Sequence, residues 1–224
     1  IIPDVEVLPH CLLFWRSFTH WIGGMGVLVF VLVVTSLDRK NSMYLMRAEV
    51  PGPEKDKLVP KTKTTARILY GIYFGLTLIL VILLMLGGMN LFDSLIHAFG
   101  SAGTGGFSNY ADSVGHFDSA YIDYVISIFM ILFGINFNLY YFMLLGDFKA
   151  FWKNEELRVY LGIIATATIL ITLNTNQMYG SIMKAFRYAL FQVSTIITTT
   201  GYATTDFNLW PTFSQCIVVL LMII

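Results

Sequence analysis

Two short runs, Gly103-Thr104-Gly105-Gly106-Phe107 and Thr198-Thr199-Thr200-Gly201-Tyr202, hold the residues whose types and spacing could do chemistry in this chain. Each breaks apolar surroundings, follows a short amphipathic segment and precedes another apolar run. Backbone leaves the helical ladder at membrane depth only where it is buried in protein or lines a cavity. A dehydrated monovalent cation needs oxygen ligands at every step, and carbonyls of converging extended loops can replace its water shell. Glycine supplies the unusual backbone angles that such loops demand. On this reading Gly106 and Gly201, each directly before the aromatic, are the equivalent central glycines. Thr104 and Gly105, with Thr199 and Thr200, present the neighbouring carbonyls, while Gly103 and Thr198 flank the loops. Phe107 and Tyr202 buttress them from outside. The expected ligand is a transported cation held at these positions alone, with no catalytic residue and no cofactor.

A single Gly103-Thr104-Gly105-Gly106 would read as a turn or a phosphate cradle. No Lys-Ser or Lys-Thr follows it and no strand precedes it, which disfavours phosphate. The second copy in an equivalent place shifts the reading to a pore. Helices ending at these loops would aim carbonyl ends, carrying partial negative charge, at the ion and so favour a cation. Asp112, Asp118 and Asp206 follow the breaks and could raise the local cation concentration, although solvated loop carboxylates are the commoner explanation.

The elements that must position these loops are membrane helices. Of 224 residues, 56% are hydrophobic and 12% charged, and mean hydropathy is +0.70, which excludes an ordinary soluble domain. A formal net charge of zero argues against a nucleic-acid partner. Cys11 and Cys216 lie in apolar runs and read as small buried hydrophobes, not as a disulfide or metal pair. The sequence opens at Ile1 without an initiator methionine and stops at Ile224 within an apolar run, as a piece of a longer protein would.

Cys11 to Leu37 is long enough to cross the ~30 Å hydrocarbon core. Within 1–37 it would be the closing span of an upstream repeat. Residues 38–67 are rich in Lys and Arg, which makes this loop cytoplasmic by the positive-inside rule. Residues 68–146 then form one pore repeat: a span from Ile68 to Met89, a half-length helix Leu91 to Ala102, the loop 103–107, and a span from Ala120 to Leu145. Lys149, Lys153 and Arg158 mark 147–158 as a second inner loop. Residues 159–224 begin the next repeat, with a span from Val159 to Leu173, a half-length helix Ser181 to Ile197 and the loop 198–202. The expected fold is therefore an all-α polytopic membrane protein of repeated span, re-entrant helix, filter loop and span around a central ion pore. Two repeats and one closing span cannot by themselves enclose a four-fold filter.

Gly23-Gly24-Met25-Gly26, Gly75, Gly87 and Gly134 read as helix-packing contacts. Asn136 and Asn138 read first as interhelical hydrogen-bonding groups, with lining of the conduction path as the second reading. Arg16 and His20 share a face and are expected to snorkel, with pairing to a neighbouring repeat as the second reading. Lys184 and Arg187 would be unfavourable beside a cation path, so they should face outward or toward acidic partners.

Leu8-Pro9-His10, Phe14-Trp15-Arg16-Ser17 and Trp21-Ile22-Gly23-Gly24-Met25-Gly26 resemble the segment after the first filter loop of membrane subunits in the Trk/Ktr/HKT superfamily. Ala102 to Ser108 resembles that family's second filter loop and Ser194 to Tyr202 its third, and the likeness extends over essentially the whole chain, including Met46 to Pro53. The resemblance implies four covalently linked repeats forming one pore per subunit, usually a homodimer, above a cytoplasmic nucleotide-binding regulatory ring. It implies potassium ion uptake across a plasma membrane, the inner membrane in a bacterium, with sodium or ammonium permeation on the same scaffold as the alternative. A polytopic enzyme acting on a lipid head group is the rival of another class. It lacks a His, Asp or Glu cluster at membrane depth.

Overall fold

The computed structural model describes residues 5–24, 26, 62–144, 146 and 148–223, without the side chains of 62–66, 149 and 150. The first apolar run beyond Gly26 and most of the basic loop 38–67 lie outside the described residues. All regular elements among the described residues are helical: α1 (His10–Gly24), α2 (Thr62–Leu86), α3 (Leu91–Ala102), α4 (Ala120–Phe133), α5 (Phe137–Leu144), α6 (Phe148–Lys153), α7 (Glu155–Tyr179), α8 (Ile182–Ile197) and α9 (Thr212–Leu221).

Among the described residues, only α2 and α7 are single helices long and apolar enough to cross a bilayer. Each has 25 residues, roughly 37 Å at 1.5 Å per residue, against a core of about 30 Å. The half-length helices α3 and α8, with 12 and 16 residues, cannot cross. Local chemistry fixes where α3 and α7 start. Asn90 caps α3 by accepting from Asp93 N at 2.8 Å, and Asn154 caps α7 by accepting from Leu157 N at 2.8 Å. Gly180 ends α7 in the left-handed conformation, φ 63°, which favours glycine.

Several boundaries differ from the sequence reading. The first helix of the repeat 159–224 begins at Glu155, not Val159, because Asn154 caps it and two glutamates occupy its positive first turn. It also runs through Asn174-Thr175-Asn176-Gln177, where Thr175 Oγ1 donates to Ile171 O and Asn174 Oδ1 accepts from Ser214 on α9, so the polar groups are satisfied without ending the helix. Part of the inner loop 147–158 is itself helical, as α6. The span expected from Ala120 to Leu145 is two helices, α4 and α5, bent by 87° at Gly134-Ile135-Asn136. Asn136 starts the second helix by accepting from Asn138 N at 3.1 Å.

One apolar core joins α2, α3 and α4 around Tyr73, Leu80, Leu84, Ile126 and Met130, and takes in Phe191 and Tyr202 from the next repeat. A second joins α7, α8 and α9 around Ile171, Val193 and Val218. In lipid, where tails are as apolar as leucine, such contacts hold helices together mainly by close packing. Phe74, Leu78, Ile82 and Leu86 on α2 are exposed, as a lipid-facing or repeat-facing surface must be. Cys11 and Cys216 are free but exposed, a correction to the buried reading.

Candidate functional site

Both half-length helices end in the same backbone construction. In the first, Gly103 N donates to Phe99 O at 2.9 Å, Thr104 N to Ser101 O at 3.4 Å, and Gly105 N and Gly106 N to Gly100 O at 2.8 and 3.5 Å. In the second, Thr198 N donates to Ser194 O at 3.2 Å, Thr199 N to Ile196 O at 2.9 Å, and Thr200 N and Gly201 N to Thr195 O at 2.9 and 3.3 Å. The two sets correspond residue for residue. Thr104 and Thr199 have φ of 51° and 55°, and Gly106 and Gly201 have φ of 62° and 91°. Positive φ is uncommon for threonine and costs on the order of 1–3 kcal/mol, a strain that clusters at functional sites. Gly105 and Thr200 between them are not left-handed. Alternating the sign of φ turns successive carbonyls toward a common side, where plain extended backbone sends them to opposite sides.

The two loops meet. A Cβ on Gly106 would overlap the Thr200 carbonyl oxygen and come within 2.9 Å of Gly201 C, so only glycine fits there. Gly201 has open space, and its glycine is required by φ alone. Thr104, Thr199 and Gly201 are exposed, Gly105 and Gly106 half-buried, and Thr198 and Thr200 buried.

Different neighbours brace the two loops. Thr198 Oγ1 lies 2.8 Å from Thr200 Oγ1 and donates to Ser194 O at 2.7 Å, while Thr195 Oγ1 accepts from Gly201 N at 3.0 Å. The first loop has glycine at 103 and 105 because α1 presses against it. A Cβ on Gly103 would overlap His20 O, and one on Gly105 would lie 2.9 Å from the His20 ring. Arg16 Nη2 donates to Ser108 O at 2.6 Å and its guanidinium sits 4.6 Å over the Phe107 ring, with His20 4.8 Å away. Arg16 and His20 therefore pack on the loop of the next repeat instead of snorkelling.

The aromatics are not equivalent. Phe107 is 37% exposed, whereas Tyr202 is buried, donates to His97 O at 3.1 Å and stacks on the His97 ring at 5.6 Å. Gly100 has no side chain where the Tyr202 hydroxyl lies. His97 Nδ1 donates to Asp93 O at 2.8 Å, which leaves Nε2 to accept from Ser108 Oγ at 3.0 Å. Asp93, also buried, accepts from Asn90 Nδ2, Asn109 Nδ2 and Tyr110 Oη at 2.9, 2.6 and 2.9 Å. Burial first, and this bond second, push the Tyr110 phenol above its usual range. The chain leaving the first loop is thus tied back to the start of α3. Sequence reasoning missed this cluster; its signal was Asp93 and His97 four apart in an apolar helix too short to span.

Arg187 on α8 reaches acidic partners, as expected: Asp123 on α4 at 2.6 Å and the exposed Asp118 at 3.5 Å. Lys184 is exposed. Asp206 accepts from Asn208 N and Nδ2, so it serves a local turn. Among the described residues no group of three or more His, Cys, Asp or Glu could hold a metal ion.

Long apolar helices, half-length helices that end in duplicated loops, and a bent closing span define a polytopic helical membrane protein of repeated architecture. The family described as "TrkH: Cation transport protein" matches residues 1–224, and the chain belongs to it. The Trk system potassium uptake protein TrkH of Escherichia coli (strain K12) is 36% identical over 213 residues, 93% of this chain and 44% of that protein. The TrkG protein of the same strain is 34% identical over 220 residues, 95% and 44%. The crystal structure of the potassium transporter TrkH from Vibrio parahaemolyticus superposes with a TM-score of 0.79 at 30% identity, covering 97% of this chain and 44% of that one. The chain spans less than half the length of these relatives.

Proposed function

We propose that this chain supplies two of four quarters of a potassium filter, in a plasma-membrane protein that takes up K⁺ through a path lined by backbone carbonyls. The observation that carries this reading is the duplicated loop: identical hydrogen bonding, positive φ at Thr104 and Gly106 as at Thr199 and Gly201, and direct contact of Gly106 with Thr200. Thr104, Gly105, Gly106 and Phe107, with Thr199, Thr200, Gly201 and Tyr202, would coordinate the ion mainly by carbonyl oxygen, which a weakly hydrated monovalent cation accepts in place of water. The basic loop 38–67 lies on the cytoplasmic side and the segments after each filter loop lie outside. The complete protein would act as a homodimer over a cytoplasmic nucleotide-binding regulatory subunit. The relatives named for potassium uptake support the ion, and the match along the whole chain supports the repeat order.

The test is growth of a bacterium deficient in potassium uptake, at low external K⁺, with the complete gene that encodes this chain. Rescue is expected. Absence of rescue despite expression in the membrane overturns the potassium reading, and uptake of Na⁺ or ammonium without K⁺ assigns the scaffold to those ions.

A further inference from the structure

A tyrosine is joined to a helix break in the same way at two places in the molecule. At the first, α1 ends at Gly24, and Tyr73 on α2 donates its hydroxyl to Trp21 O, three residues earlier, at 2.8 Å. At the second, α4 breaks at Gly134, and Tyr160 on α7 donates to Ile131 O, again three residues earlier, at 3.3 Å. Each tyrosine belongs to the first span of one repeat, and each break comes before that span in sequence, at Gly24 ahead of α2 and at Gly134 ahead of α7. Trp21 lies in the last turn of α1, whose end at Gly24 is followed by Gly26 at a φ of 75°, and Ile131 lies where α4 leaves the ladder, with Ile135 N donating to Leu132 O instead.

Each break also touches the start of the next filter loop. A Cβ on Gly24 would lie 2.6 Å from the Tyr73 hydroxyl, 2.8 Å from Gly103 Cα and 3.1 Å from Ala102 O. A Cβ on Gly134 would overlap the Tyr160 hydroxyl and lie 3.0 Å from Thr198 Cγ2. Gly103 and Thr198 are the corresponding C-cap residues of α3 and α8, directly before the left-handed threonines. The shared parts are therefore a glycine at the break, a tyrosine hydroxyl on the carbonyl before it, and the C-cap of a filter loop against both.

We propose that Tyr73 and Tyr160 are positioning residues that fix where each filter loop starts. The hydroxyl holds the end of the broken span, and the break, having no side chain, holds the C-cap. This rests on the reading of residues 103–107 and 198–202 as a filter. The two sites differ in one respect: Trp21 Nε1 also donates to Thr77 Oγ1 at 3.1 Å, so the first break has a second tie to α2. Tyr160 should accordingly be the more sensitive of the two.

The test uses the complete gene product, reconstituted in phosphatidylethanolamine and phosphatidylglycerol vesicles. It reads the KM for Rb⁺ uptake against the inhibition constant for Na⁺, a ratio that does not depend on how much folded protein is present. Tyr73→Phe and Tyr160→Phe keep the ring and remove only the hydrogen bond. Both should shift the ratio, by roughly two- to tenfold for one net hydrogen bond, with Tyr160→Phe shifting it more. Gly134→Ala should shift it too, and Gly134→Ala with Tyr160→Phe should lie closer to wild type than Gly134→Ala alone, since the hydroxyl that the new methyl meets is gone.

Gly106→Ser tests the filter reading separately. If Gly106→Ser moves the ratio while both phenylalanine variants leave it unchanged, the filter stands and the positioning role falls. If Gly106→Ser is silent as well, the filter reading falls and takes this proposal with it. Loss of monodisperse protein in both phenylalanine variants would make the hydroxyls structural and equally overturn it. So would additive effects of Gly134→Ala and Tyr160→Phe.

Discussion

Gly106 and Gly201 occupy corresponding places for different physical reasons. Any side chain on Gly106 collides with the Thr200 carbonyl, whereas Gly201 is constrained only by its φ of 91°. Gly106→Ser should therefore disturb both loops, and Gly201→Ser only its own, at roughly 1–2 kcal/mol for a left-handed non-glycine residue. In the complete protein, Gly106→Ser is expected to change the Rb⁺ to Na⁺ preference more than Gly201→Ser does, as vesicle uptake would show. Asp123 and Arg187 make the other residue-scale prediction. Breaking a buried ion pair from one side costs about 3–5 kcal/mol because the remaining charge is stranded. Asp123, the buried partner, and Arg187, with 13% of its side chain exposed, fit that case. Asp123→Ala should lower the thermal midpoint of the detergent-solubilised protein sharply, and Asp118→Ala, removing an exposed partner, should hardly move it.

At the scale of elements, the start of α3 is tied down twice. Asn90 caps its start and Asp93 collects Asn90, Asn109 and Tyr110, so Asn90→Ala should cost about 1 kcal/mol through the lost cap, with a further cost from the Asp93 bond. A thermal shift larger than that of Gly180→Ala is the expected outcome, because Gly180 has open space around it and only its φ of 63° to defend. The half-length helices were legible in the sequence, since amphipathic segments of 12 to 16 residues before Thr-Gly loops fit nothing else at membrane depth. The 87° bend between α4 and α5 was not. Gly134 read as a packing glycine, and it does pack, against Tyr160 and Thr198; what the sequence lacked was the distant tyrosine that takes up a carbonyl at the break. Arg16 and His20 were legible only in the second of two readings: snorkelling is the local expectation for an isolated helix, and pairing with the loop 103–107 of the next repeat is what they do.

Across the whole molecule the repeats interlock. Phe107 packs on α1, Tyr202 crosses to α3, Arg187 reaches back to α4, and Gly106 abuts Thr200, so each of the loops 103–107 and 198–202 rests on elements of the repeat before it. This cross-repeat packing explains why the loop sequences could differ, with glycine at 103 and 105 but threonine at 198 and 200, while the backbone stayed the same. Repeat order could be read from hydropathy and charge; the interlocking could not, because it depends on contacts between residues about a hundred positions apart. The most direct test is to locate a bound Rb⁺ by its anomalous scattering in crystals of the complete protein. The account predicts a peak in contact with the carbonyl oxygens of residues 104–107 and 199–202. A reproducible Rb⁺ peak elsewhere in the membrane region, with none at these loops, would contradict it.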